Sequence, residues 1–288
     1  MKRKLIKQGL GGVTVTLPIR WLRELNLDAG AEVEVTETEH GILISSEALA
    51  GKKKTKELLL KKDEQGRLRT ILSSLYRQGY DEIILNFESP FSLNDITKIV
   101  DSLMGYLITE QTDKRIIIKN AFKEDFEGIN PIMGKMFITT AFFLKQIWSY
   151  LNGEKIKEEE LMSVRNSIIK LRDYAQRMIN VQQFEKEKNY EYHLLVFTLE
   201  KIVSNCNNLI PQKKKIKQPK IRELEGIIDY LVELQKAFLK KDSAFAIALN
   251  DKIYRFKKKN DLDASLPLFA IMGENLFTLS SRIVAILI

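Results

Sequence analysis

Apolar and polar positions alternate in different ways along the chain, and the change of period marks its divisions. In the first fifty residues the period is two. Val13-Thr14-Val15-Thr16-Leu17 alternates apolar and hydroxylated side chains, and Val33-Glu34-Val35-Thr36 and Ile42-Leu43-Ile44 follow, joined through His40-Gly41; these predict short, half-buried strands. A basic strand, Lys2 to Lys7, precedes a cluster at Gly9, Gly11 and Gly12, where the backbone can take positive φ in a tight turn. Pro18 ends the second strand and suits the first turn of a helix carrying Ile19, Leu22 and Leu25. The reading is β-β-α-β-β.

Residues 64–123 mix the two periods. Leu68, Ile71, Leu72, Leu75 and Tyr76 have helical spacing and Gly79 stops them; Ile83 to Phe87 reads as a strand. After a turn at Pro90, Ser92 with Asp95 forms a capping pattern for a helix carrying Ile96, Ile99, Val100 and Leu103. Tyr106–Gln111 and Arg115–Lys119 then read as strands of a small α+β unit, with Tyr76, Gly79 to Glu82 and Gly105 as turn and packing residues. From Pro131 the helical period runs to the end. Two trios of helices in similar order are visible, an internal repeat expected to pack as antiparallel bundles. The predicted division is 1–50, a basic linker 51–63, the α+β unit 64–123, a trio 124–210, a basic linker 211–219 and a trio 220–288. The fold class is α+β, mainly α.

Fifty residues in four short strands cannot bury a core alone, so a homodimer that interleaves strands through residues 1–50 is expected. Lys2, Arg3, Lys4, Lys7, Arg20 and Arg23 give this segment cations suited to phosphate contacts. The glycine turn, the strand entering Leu17-Pro18, the helix ending in Leu25-Asn26-Leu27 and the valine strand after it resemble the AbrB/MazE/SpoVT family of swapped-hairpin DNA-binding domains. That resemblance implies DNA contact by the basic strand, the glycine turn and the helix start. Thr14 stands where the bacterial pattern usually has an arginine, and only Arg23 remains of its usual helix pair. A module kept for dimerisation alone is the other reading.

Leu171-Arg-Asp-Tyr-Ala-Gln-Arg-Met178 and Tyr192 to Ile202, set in two successive three-helix bundles, resemble the PhoU family of phosphate-uptake regulators. With the N-terminal likeness, the whole resembles the archaeal version of that family. The resemblance implies a partner among phosphate-transport or signalling proteins. It also implies acidic pairs four residues apart on helices, able to hold metal ions. The first acid of each pair stands at Asp173, Glu200, Asp251 and Glu274, but the second positions are Arg177, Ser204, Arg255 and Thr278. Asp173–Arg177 and Asp251–Arg255 thus read as opposite-charge pairs along a helix. No bound metal is the preferred reading, with a single divalent or iron ion between Asp173 and Glu200, or Asp251 and Glu274, as the alternative.

Composition narrows the function further. The net charge of +8, pI near 9.3, reads as a mild bias spread along the chain that favours acidic partners. One cysteine, Cys206, excludes a disulfide framework, and two histidines, His40 and His193, leave little for imidazole metal or triad chemistry. No phosphate loop ending in Lys-Ser/Thr occurs, so an enzyme is not expected. Leu266 to Ile288 is apolar but contains Glu274, Asn275 and Arg282, so no membrane insertion is expected, and a cytoplasmic location is. The function that the two resemblances imply is a DNA-binding transcriptional regulator of phosphate uptake or signalling. Its alternative is an interaction protein acting on a transporter or signalling partner.

Overall fold

The computed structural model describes residues 3–9, 11–24, 26–38, 41–45, 53–61, 66–89, 91–122, 128–182, 187–260 and 267–288. The chain is α+β and mainly α, and it divides into two compact units, 1–54 and 55–288. In the first unit β1 (Ile6–Gln8) and β2 (Gly12–Thr14) form one antiparallel hairpin, α1 (Ile19–Glu24) follows, and β3 (Glu34–Thr38) pairs with β4 (Gly41–Ser45) in another. This is the predicted β-β-α-β-β order; Leu25 and His40 lie outside the described residues.

The second unit begins with a correction. The stretch 51–63, expected to be a linker, contains β5 (Thr55–Leu60), which pairs in parallel with β6 (Glu82–Phe87). Parallel strands need a crossover, and α2 (Leu68–Arg77) supplies it. After α3 (Leu93–Asp101), β7 (Tyr106–Gln111) and β8 (Arg115–Asn120) complete a sheet of order β5-β6-β8-β7. Period-two alternation in β6 buries Ile83, Leu85 and Phe87 under α2 and α3, with Leu72, Tyr76, Ile96 and Val100. The Ser92 hydroxyl caps α3 by accepting the Asp95 N–H at 3.4 Å.

Six helices follow: α4 (Asn130–Leu151), α5 (Glu158–Gln182), α6 (Asn189–Asn207), α7 (Gln218–Leu239), α8 (Ser243–Asn260) and α9 (Pro267–Leu287). They do not form two separate bundles. First helix packs on first, α4 on α7, and third on third, α6 on α9. One continuous core runs from Met133 to Ile286, while α5 and α8 pack chiefly within their own trios. The segment 211–219 is likewise not an open linker. Residues 210–215 form a turn of 3₁₀ helix, Lys213 Nζ sits 3.9 Å over the Tyr150 ring, and α7 has already begun at Gln218. Pro267–Leu287 is long and apolar enough to cross a membrane, yet Phe269, Met272, Leu276, Leu279 and Ile283 are buried in this core.

The sheet layer is joined to the bundle through α5. Arg177, 1% exposed, donates from Nη1 to the carbonyls of Tyr76 (3.0 Å) and Tyr80 (2.8 Å), and from Nη2 to Asp81 Oδ1 (3.0 Å). Its guanidinium also lies over the rings of Tyr76 and Tyr106. One turn earlier Asp173, 2% exposed, accepts from Arg77 (3.3 Å) and Arg172 (2.8 Å). The exposed Asp173–Arg177 pair read from spacing is therefore replaced by two buried groups with partners on other residues. Gly79 sits at φ 80° in the same turn, where a Cβ would come within 2.6 Å of Val181 Cγ2, so both its conformation and the approach of α5 require glycine.

Arg177→Ala would take one donor from each of two carbonyls and from the partly exposed Asp81 carboxylate. The expected loss is about 2–3 kcal/mol in urea-induced unfolding, on the order of one or two hydrogen bonds from a charged donor. A change under about 1 kcal/mol would show that this joint does not hold the layers. His193 gives a second measurement. Its Nε2 lies 3.2 Å from Asn180 Oδ1, and desolvation lowers its pKa below the ordinary value. A depressed base binds fewer protons folded than unfolded, so stability is full above the usual histidine pKa and falls as pH drops through it. That fall should shrink in His193→Gln, measured by thermal unfolding from pH 7.5 to 5.

Candidate nucleic-acid interface

The first hairpin turns on glycines for a geometric reason. Gly9 and Gly11 have φ of 62° and 142°, values that side-chain-bearing residues rarely adopt. Gly12 faces Gln8 so closely that a Cβ would lie 3.0 Å from its carbonyl oxygen. The register pairs Ile6 with Thr14, Lys7 with Val13 and Gln8 with Gly12. Residues directly opposite share a face and neighbours along a strand do not. Lys7 therefore lies on the Val13 face and Thr14 on the Ile6 face, where its hydroxyl donates to the Ile6 carbonyl at 3.3 Å. The two do not form a single binding face on one ribbon.

The other expected contacts are placed as follows. Arg3, Lys4 and Lys7 are exposed on the first strand and the segment leading into it. Arg20 and Arg23, three apart on α1, share one exposed side of that helix. The α1 exit is a tight one: Asn26 takes a φ of 53°, and the Leu27 N–H returns to the Leu22 carbonyl at 2.9 Å. Lys2 lies outside the described residues. Across the second hairpin Val35 pairs with Ile44 and Glu37 with Ile42, so Val35, Ile42 and Ile44 share one face. Among the residues of 1–54 whose side chains are described, none is buried. Leu5, Ile6, Val13, Val15, Ile19, Val35 and Ile42 are 44–74% exposed, an apolar surface with no described side chain buried behind it.

The acids expected on the helices do not assemble as ligands. Asp173 and Glu200 both face Arg172, whose guanidinium lies 2.8 Å from the first and 4.0 Å from the second. Glu274 pairs with Lys257, while Asp251 and Arg255 are exposed. No group of three or more His, Cys, Asp or Glu side chains placed to hold a metal occurs among the described residues. Three of these four acids already face the chain's own cations, a donor set that does not suit a divalent or iron ion.

The family model described as "Antidote-toxin recognition MazE, bacterial antitoxin" matches residues 13–57. The match takes in Thr14, Arg20 and Arg23 but begins after Lys7, and it leaves out the helical body. No curated protein and no solved structure matches the chain. The fold is thus an α+β, mainly helical protein carrying an antitoxin-type segment of the AbrB/MazE kind at its N-terminus. That segment fits a DNA-binding or antitoxin-type regulator.

Gly11→Ala would force a side chain into a φ of 142°. The hairpin should open by about 1–3 kcal/mol, the cost of a strained backbone position. Faster amide exchange at Ile6 to Gln8 and Gly12 to Thr14 would register it, while exchange in the six helices stays as in the parent.

Proposed function

We propose that the protein is a DNA-binding transcriptional regulator acting as a homodimer through residues 1–50, with phosphate uptake or signalling as its setting. Its helical body serves as the sensory or partner-binding part. The observation that carries this reading is the coreless first unit. Seven large apolar side chains there are exposed, and full burial would contribute about 1.5–3 kcal/mol for each, on the order of 10 kcal/mol or more in total. A second copy presents the same apolar ribbons and is the simplest cover, because isologous contact is self-complementary. Exchange of hairpins between copies, as the family resemblance implies, would supply the missing core.

Dimerisation also answers the separation of Lys7 from Thr14. Two ribbons from two copies can turn like faces together, so contacts divided on one chain gather across the pair. Arg3, Lys4, Lys7, Arg20 and Arg23 then supply phosphate contacts, and Thr14, if released from the Ile6 carbonyl, can bond a base or phosphate. The phosphate setting rests on the PhoU resemblance at Leu171–Met178 and Tyr192–Ile202, and the packing of like helices across the two trios supports it. The bundle then acts through a partner, a transporter or a signalling protein.

Sedimentation should give a dimer for the parent and a monomer for a Val13→Glu, Val35→Glu double variant. Duplex binding by the parent should weaken with salt at about 0.9 in log–log slope per phosphate contact, and Arg3, Lys4 and Lys7→Ala together should lower that slope by about 2–3. A monomeric parent, or a triple variant with unaltered slope, would overturn the reading of residues 1–50.

A further inference from the structure

The net charge of +8 is not spread along the chain. Residues 1–54 hold nine Lys and Arg against seven Asp and Glu, 55–210 hold equal numbers, and 211–288 hold fifteen against nine. The second trio thus carries six of the eight charges, and the topology gathers much of that excess at one end. After the 3₁₀ turn, α7 runs away from that end and α8 returns to it. A Cβ at Gly226 would meet Phe256 Cε2 at 3.0 Å, and the Tyr230 and Phe256 rings are 5.3 Å apart. The last turn of α8 therefore lies beside the second turn of α7, about one turn from the segment that leads into it. Lys214, Lys215 and Lys217 on one segment and Arg255, Lys258 and Lys259 on the other are all exposed there.

We propose that this lysine-rich end is a second contact surface for the phosphate backbone of duplex DNA. It takes the ligand from the reading above but rests on different residues. Folding accounts for only part of the charge. Cations favour a helix C-terminus, which suits Lys258 and Lys259, but they oppose the positive N-terminal end of a helix. Lys214, Lys215 and Lys217 stand just before the start of α7, whose first turn holds no acid. Two of the nearby acids already have cations, Glu223 the buried Lys220 and Glu274 the Lys257 side chain, while Glu225, Asp229 and Asp251 are exposed. A rigid cluster of like charge matches a polyanion with one charge per about 1.7 Å of axis.

A bilayer is the less fitting occupant. The apolar side of α8, with Ala246, Leu249 and Ile253, is buried in the bundle, and only Ile247 and Tyr254 are exposed large apolar side chains on that helix, too few for a face that inserts. Its exposed Tyr254 lies beneath the Lys258 ammonium, 4.8 Å away. The corresponding helix of the first trio, α5, meets α2, so among the described residues the second trio is the one that offers such an end.

The test uses the full chain with Lys214, Lys215, Lys217, Lys258 and Lys259→Ala. Binding to duplexes of unrelated sequence is measured from low to moderate salt, with the thermal midpoint and the sedimentation coefficient as folding controls. The log–log salt slope should fall by about 3–5, equally for every duplex, and the same five positions as Arg should restore it. A slope equal to the parent's overturns the proposal. So does loss of binding to phosphatidylserine vesicles with DNA binding intact. If the five-fold variant loses slope while Arg3, Lys4 and Lys7→Ala does not, this proposal stands and DNA contact by the N-terminal strand fails; the reverse result sinks this one alone.

Discussion

A guanidinium with 1% exposure has no water to turn to, so its N–H groups must find acceptors within the fold. Arg177 finds them on a turn about a hundred residues earlier in the chain. Those acceptors flank the end of α2: the Tyr76 carbonyl, which also accepts the Gly79 N–H, closes the helix, and the Tyr80 carbonyl, which also accepts the Tyr106 hydroxyl, leads into β6. Asn180 does the same for the Arg77 carbonyl at 2.7 Å. The end of α2 is thus completed by α5, and each layer holds polar groups that the other must answer. Burial pushes the Tyr76 phenol above its ordinary pKa, opposed by the adjacent Arg177 charge, so it stays a neutral donor to the Met104 carbonyl.

This joint breaks the symmetry of the six helices. The trios share helix order and pair like with like, yet their outer helices have different surroundings. The second half of α5 carries Asp173, Arg177, Asn180 and Val181 toward the sheet layer, whereas the second half of α8 carries Arg255, Lys258 and Lys259 to solvent. An internal repeat has thus been put to two uses, one surface for binding its own chain and one left charged.

Strand and helix order was readable wherever one residue type repeats on one face, as in Val13 to Leu17 or Leu68 to Tyr76. β5 was hidden because its first residues continue a lysine run and only Leu58 to Leu60 look like a strand. It becomes one by pairing with β6, a contact that no local pattern encodes. Helix spacing suggested that Asp173 and Arg177 face each other, since i and i+4 are neighbours on any helix. Their actual partners come from residues 77, 81 and 172, and burial made those the stronger contacts. The glycine turn foretold the first hairpin, but not that its register sends Lys7 and Thr14 to opposite faces. The clustering of charge after residue 211 was present in the residue counts and is lost when only the total is read.

The modest charge of the first unit also bears on how affinity and selectivity divide. Nine cations against seven acids give little long-range attraction, and phosphate contacts carry no direct sequence information in any case. Selectivity has to come from groups held in fixed positions, and the glycine hairpin and α1 hold theirs only once a core exists beneath them. On the proposed reading, dimer formation and sequence reading are then the same event for residues 1–50. A charged end on the second trio can hold the backbone of DNA whatever its sequence, so the affinity that the small unit lacks would be drawn from the large one.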